Sequence, residues 1–331
     1  MKQIDLSAHS DSSLPHYPVT AIVIGRNEGA RLQACLRALS QQLSRIVYVD
    51  SGSTDGSADF AQAMGVQVVH LDMGLPFTAA RARNAGLKAI AADPTEFVQF
   101  IDGDCMLQPE WLPAAVRALQ ADPQLAVVAG RRRELYPERS VYNWLCDLEW
   151  DTPVGDARAV GGDMLIRHDA IAAVGGFRES LIAGEEPEMC VRLRAAGWRI
   201  RRLPVEMTLH DADITRFGQW WRRSKRAGHA FAEGAALHGA PPERHWTAET
   251  RRALIWGLIL PVVAVLGALL VHPVLLALLL VYPLQAIRLS RRLGRKRAVY
   301  TLMGKFPEAM GVAQFHLNRL RNRRGALIEY K

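Results

Sequence analysis

The sequence predicts an α/β protein with a mainly parallel sheet, followed by a helical hairpin apolar enough to enter a membrane. Three observations carry that prediction. From Val19 onward, short β-branched runs alternate with helical stretches. Each run opens into a polar, glycine-containing loop. Residues 253–287 carry no Asp, Glu, Lys or Arg.

The alternation reads as βαβ units, because parallel strands need a crossover between them. Strands are expected at residues 20–24, 45–49, 66–71 and 97–101, with helices at 30–41, 55–64 and 79–91. In open α/β sheets ligands bind beyond the carboxyl ends of the strands, so the loops after Ile24, Val49 and Ile101 are where chemistry is expected. After Ile101 the pattern loosens into a helix at 109–121, a strand near 126–129 and an irregular stretch to Val160. A second block runs from Gly161 to His210. Residues 215–231 turn basic and aromatic, and 232–252 read as a polar linker.

With 331 residues and 49% hydrophobic side chains, the chain can bury one large domain and something smaller. The net charge of +8 and pI near 9.6 fit nucleic acid, anionic lipid or an anionic substrate equally well. Four widely spaced cysteines form no Cys-x-x-Cys pair and have no histidines at zinc-ligand spacing, so buried reduced thiols are expected. The N-terminus lacks the continuous apolar run of a signal peptide, which places the following region in the cytoplasm, with residues 1–17 as a mobile arm.

The strongest local motif is Asp102-Gly103-Asp104, directly after a predicted buried strand. Two carboxylates one residue apart can divide their work, one on a hard divalent cation and the other on a ribose hydroxyl or a metal-bound water. In other proteins the same triplet makes ordinary turns. Gly25-Arg26-Asn27-Glu28 ends the first strand and Asp50-Ser51-Gly52-Ser53-Thr54-Asp55-Gly56 the second. Their glycines let backbone approach a ligand, and Asn27, Glu28 and Asp50 are placed to hydrogen-bond a base or ribose. Ser53 or Thr54 would also serve as a helix cap there. Gly25 and Gly29 do not make the Gly-x-Gly-x-x-Gly of a dinucleotide site.

Those loops, together with Ala80-Arg81-Ala82-Arg83-Asn84-Ala85-Gly86, resemble family 2 glycosyltransferases in order and spacing over about residues 18–215. The resemblance implies the GT-A fold, a Rossmann-like nucleotide-diphospho-sugar transferase domain. It implies that Arg26, Asn27 and Glu28 meet the nucleotide sugar, Asp50 the nucleobase, and that Arg83 lies near the nucleotide. Asp102 and Asp104 then hold ribose and a divalent metal, Mn²⁺ or Mg²⁺. Gly161-Gly162-Asp163 and Gly184-Glu185-Glu186-Pro187-Glu188 look like the acceptor half, with Gly162, Asp163 and Glu185 on the acceptor side. By position Glu186 is the general base, where the commoner residue is Asp. His210 corresponds to a third metal ligand in many relatives. Gln219-Trp220-Trp221-Arg222-Arg223 looks like the Gln-x-x-Arg-Trp motif of processive members, but Arg223 replaces the final Trp. That departure argues against a polysaccharide-extruding enzyme. Pro187 opens a helix in this reading, and the helix dipole keeps Glu186 ionised.

The uncharged stretch 253–287 is broken by His272 and Pro273 and suits a tight hairpin of two short spans, since one span takes roughly 20 apolar residues. Basic residues flank it on both sides, which places both ends on the cytoplasmic face. The expected organisation is an arm at 1–17, a catalytic domain at 18–231, a linker at 232–252, a hairpin at 253–287 and a basic interfacial segment at 288–331. The expected reaction moves a sugar, from a UDP-sugar by preference among relatives, to a hydroxyl of a glycan or lipid-linked acceptor at the cytoplasmic membrane. Membrane lipids are the expected partners of the positive charge and nucleic acid is not. Transfer to a polyprenyl phosphate, or an inactive membrane scaffold, are the alternatives.

Overall fold

The protein is described by a computed structural model covering residues 17–321. The expected arm therefore lies outside the described residues, apart from Tyr17. Four parallel strands open the chain: β1 (Val19–Gly25), β2 (Ile46–Asp50), β3 (Gln67–His70) and β4 (Phe97–Asp102). They are joined by α1 (Ala30–Ser40), α2 (Ser57–Ala63) and α3 (Ala79–Ile90). β1, β2 and β4 are buried on both faces, as near-continuous Val, Ile and Phe runs require when helices cover both sides. α3 presses close because a Cβ at Gly86 would collide with the Ile22 side chain.

The rest of the sheet keeps the expected mainly parallel character and adds three antiparallel strands. β5 (Cys105–Leu107), α4 (Trp111–Ala121) and β6 (Leu125–Glu134) come next, then α5 (Val141–Trp150), β7 (Gly155–Asp156), β8 (Met164–Arg167) and α6 (His168–Ala173). After α7 (Glu185–Ala195), β9 (Arg199–His210) completes a sheet ordered β3-β2-β1-β4-β8-β6-β9-β5, with β7 also on β9. β6 and β9 run with β1–β4, β8 runs antiparallel between β4 and β6, and β5 and β7 run antiparallel to β9. Periodicity marks a strand but not its direction, and the long connections after β4 left direction open. The stretch expected to be irregular holds α5, whose N-terminus is capped by Ser140 Oγ accepting from the amides of Tyr142 and Asn143 at 3.1 and 3.0 Å.

The expected linker is also corrected, because α8 (Phe217–His238) continues into it and α9 (Thr247–Leu254) begins inside it. Alanine-rich sequence sustains α8. Gln219 helps to start it, its Oε1 accepting from the amides of Thr215 and Arg216 at 3.0 and 2.9 Å. Helix continues without a break from Thr247 to Leu270, 24 residues, through a π-turn at Ile255–Ile259 into α10 (Leu260–Leu270). The turn precedes Pro261, which has no amide hydrogen for the carbonyl four residues back. A second stretch, Pro273–Leu293, is 21 residues and ends as α11 (Val281–Leu293). Both are long and apolar enough to cross a membrane, and at the tip Leu269 and Leu270 are 75% and 80% exposed. Apolar surface of that extent marks a membrane or a partner.

α12 (Arg295–Met303) and α13 (Lys305–Leu320) follow. The segment expected to lie along a membrane surface packs back on α8: a Cβ at Gly228 of α8 would strike the Glu308 carbonyl, and one at Gly311 the Lys225 carbonyl. Missing side chains let the two backbones meet. Val312 is buried with Ala232 and Ala253 at this crossing, while Val299 and Met310 stay about half exposed. Residues 322–331 lie outside the described range.

Candidate active site

Gly25 registers with Asp50 and Ile24 with Asp102, so the carboxyl ends of β1, β2 and β4 open side by side. In the first loop the Arg26 guanidinium lies 4.4 Å over the Phe77 ring. Asn27 adopts φ +55°. Its Oδ1 accepts from the Thr54 amide at 2.8 Å, and its own amide donates to Ser53 Oγ at 3.0 Å. Asn27 therefore ties the first loop to the second. In that second loop the buried Asp50 carboxylate accepts from the amides of Gly52 and Ser53 and from the Tyr48 hydroxyl, at 3.1, 3.0 and 3.1 Å. It borders a neighbouring cavity of about 460 Å³ with His70 and Met73.

The main cleft, about 310 Å³, is lined by Arg26, Glu28, Asp102, Asp104, Gly162, Glu186 and His210, among others. Seven residues picked from the sequence thus share one space. Arg83 is buried beneath it and links the two halves of the protein: Nη2 donates to Asp102 Oδ1, while Nη1 contacts Glu185 Oε1 and Glu186 Oε1, each at 2.9 Å. A Cβ at Gly162 would lie 2.6 Å from Arg83 Nη2 and 2.9 Å from Asp102 Oδ2, so only glycine fits above this network. Glu185 and Asp163, expected on the acceptor side, are instead buried below it. Asp163 accepts from the Asp102 amide at 3.1 Å and from Thr208 Oγ1 at 2.7 Å, bracing the Asp102 loop against β9.

Helix α7 starts at Glu185 rather than at Pro187, after Gly184 at φ +82°, so Glu185 and Glu186 fill its first turn. The dipole was expected to keep Glu186 ionised. Burial, the Glu185 charge and Asp102 outweigh Arg83, whose charge is shared among three carboxylates, and the carboxyl is pushed up to about 7. Asp102 is the opposite case. Between Arg83 and Arg132 it is held well below the usual carboxylate range despite its burial. Glu188, two residues on, is a buried strut, bonded to Arg178, Arg192 and His238.

Pairing of β5 with β9 sets Cys105 opposite His210 and so brings Asp104 to the histidine. His210 Nε2 lies 3.2 Å from Asp104 Oδ2, Nδ1 lies 3.8 Å from Glu134, and the Trp150 ring meets the imidazole at 4.6 Å. Burial and the Arg132 charge hold His210 below its ordinary value, which favours the neutral ring a metal ligand needs. Asp104, Cys105 and His210 place donor atoms within 4.8 Å of one another. Burial pushes the Cys105 thiol up, and soft sulfur suits hard cations poorly, so the donors for Mn²⁺ or Mg²⁺ are one carboxylate and one imidazole. That set fits Mn²⁺ or Mg²⁺ sharing phosphate oxygens, and is too small for a structural zinc.

Sequence reasoning missed Arg132 and Trp150. Arg132 Nη2 donates to Asp102 Oδ2 at 3.1 Å, and its guanidinium lies 5.0 Å over the Trp150 ring, both residues lining the cleft. The run Arg131-Arg132-Arg133 at the end of a predicted strand was the available signal. Arg223 and Arg226 of α8 complete that wall.

Strand-end acids facing an acidic helix across one cleft are the arrangement of a GT-A glycosyltransferase. Residues 20–178 match Glycosyl transferase family 2. An uncharacterized glycosyltransferase of Mycobacterium bovis is 30% identical over 195 residues, 56% of this chain and 84% of that one. The chain belongs to glycosyl transferase family 2. The pre-mycofactocin glycosyltransferase of Mycobacterium tuberculosis is 31% identical over 240 residues, 67% of this chain and 48% of the relative. The chain thus spans about half the length of the first curated relatives it matches. Among solved structures, the mannosyltransferase PcManGT of Pyrobaculum calidifontis, in complex with GDP-Man and Mn²⁺, shares the fold at TM-score 0.62 and 21% identity over 90% of this chain and 88% of that one.

Proposed function

We propose that the cleft transfers a sugar from a nucleotide-diphosphate donor to an acceptor hydroxyl, inverting the anomeric carbon in a single displacement. Glu186 carries this reading: its carboxyl borders the cleft and ionises near neutral pH, where a general base is most effective. Arg83 fixes Glu186 and Asp102 through one guanidinium, so the base and the donor-side acid keep a set separation. Asp102, ionised throughout, accepts a ribose hydroxyl. Arg26, Glu28 and Phe77 line the nucleotide side. Arg132 adds fixed positive charge beside the diphosphate, and Trp150 screens that corner from water.

Asp104 and His210 would hold Mn²⁺ or Mg²⁺, which when bound neutralises the departing diphosphate. In relatives as different as PcManGT, the solved complex contains GDP-Man with Mn²⁺. The apolar pair of helices, with Arg251 and Arg252 before it and Arg288, Arg291, Arg292, Arg295, Lys296 and Arg297 after it, supports attachment to a membrane with the cleft on its cytoplasmic side.

Glu186→Gln is expected to lower transfer by about 10²–10⁴-fold while leaving donor binding intact. Transfer near the wild-type rate would refute the base. Asp104→Ala is expected to abolish the Mn²⁺-dependent thermal stabilisation by nucleoside diphosphates, tested as a panel of UDP, GDP and dTDP. An unchanged shift would refute the metal assignment.

A further inference from the structure

Beside the cleft, on the side away from Asp50, lies a further half-open cavity of about 410 Å³, bordered by α5, α8, α12 and α13. Its walls divide by chemistry. Trp220, Phe231, Tyr300 and Leu145 supply apolar surface, and Arg223, Arg297 and Lys305 supply three cations against the carboxylates of Glu149 and Glu308. The Trp220 and Tyr300 rings meet edge to face at 5.4 Å.

The cavity joins two places already described. Arg223 lines both it and the cleft, and is oriented by two 2.8 Å hydrogen bonds to Glu149, the neighbour in sequence of the cleft residue Trp150. On the other side, Phe306, next to Lys305, stacks at 5.9 Å on Tyr282 of the apolar hairpin. Arg297 follows the hairpin within one turn of α12. A basic, partly apolar chamber thus runs from the base of the apolar helices to the site where an acceptor must arrive.

We propose that this chamber seats the phosphate and adjoining hydrocarbon of a lipid-linked acceptor, whose distal hydroxyl reaches Glu186. The inference rests on the proposed transferase reading and names its acceptor class. Lys305 is paired with Glu308 and Arg223 with Glu149, so Arg297 meets the phosphate charge, and the aromatic wall meets the first units of the lipid. A half-open cavity of this volume, bordered by four helices, suits one ligand rather than a film of bulk lipid.

The test is calorimetric titration of the detergent-solubilised full chain with farnesyl phosphate, with farnesol and short-chain phosphatidylglycerol as controls. Variants are Arg297→Ala, which removes a cation, and Ala227→Trp, which fills the cavity from α8. Farnesyl phosphate is expected to bind the wild type, to weaken about tenfold in each variant, and to bind about tenfold tighter than either control. Equal affinity in wild type and variants, or equal binding of phosphatidylglycerol, overturns the proposal. Should Ala227→Trp not fold, Arg297→Glu at its half-buried position carries the test. Nucleoside diphosphate with Mn²⁺ is titrated in parallel. If the nucleotide binds normally and farnesyl phosphate does not, only the acceptor inference fails; if the nucleotide does not bind the wild type, the donor reading fails instead.

Discussion

Glu186 and Arg83 touch at 2.9 Å, yet the carboxyl is held near 7. A base must be ionised to act, so kcat/KM should rise about tenfold per pH unit below that value and level off above it. An acidic limb centred near 4.5 instead would show that burial and Glu185 do not set this group. The same shift has an opposite sign in stability. The folded state holds the Glu186 proton more tightly than the unfolded chain, so its stabilisation is full below the ordinary glutamate value and fades as pH rises through about 7. Asp102, held low, stabilises above its ordinary value and loses that effect only in strong acid. Arg83→Ala leaves Glu185 and Glu186 around a buried gap without their shared cation, while Asp102 keeps Arg132, and should cost about 3–5 kcal/mol in urea unfolding. A loss under about 1 kcal/mol, the range of an exposed pair, would show that solvent already screens the network.

At the scale of elements, the two halves of the site are joined through close backbone approach as much as through charge. Gly162 passes over Arg83 and Asp102 with no space for a Cβ. Gly162→Ala should therefore displace the guanidinium and reduce kcat/KM while CD-monitored helix content stays the same; full activity would mean the loop yields freely. The crossing of α8 and α13 at Gly228 and Gly311 obeys the same rule. Gly311→Val should destabilise by about 1–3 kcal/mol through overpacking, read from the thermal midpoint. An unchanged midpoint would show that α13 contributes little to the fold.

For the molecule as a whole, a strongly apolar hairpin joins a catalytic domain of near-zero net charge to a C-terminal segment that carries the chain's positive excess. The protein should stay with membranes through alkaline carbonate washing, because two helices of 24 and 21 residues anchor it by burial rather than by charge. Release by carbonate would reduce the hairpin to a surface or partner contact. With α12 and α13 folded onto α8, the apolar helices and the cleft are parts of one packed structure.

The first three βα units were legible because β-branched runs and helical stretches alternate there without interruption, and the strand-end motifs follow from the same rhythm. Asp102, Asp104, Glu186 and His210 could be picked out because each sits at the edge of a recognisable element. The hairpin was legible from the absence of charge alone. Direction in the second half of the sheet was not, since hydrophobic period is the same for either direction of pairing. Nor was the difference between Glu186, which borders the cleft, and Glu185, which is buried one residue away: the α7 start and Arg83 decide that. Arg132 entered the site only because β6 lies beside β9. Sequence, through local periodicity and composition, determined which elements form and where acids end them. Tertiary structure decided which of those acids meet, because burial and shared counter-charges exist only once distant segments pack together.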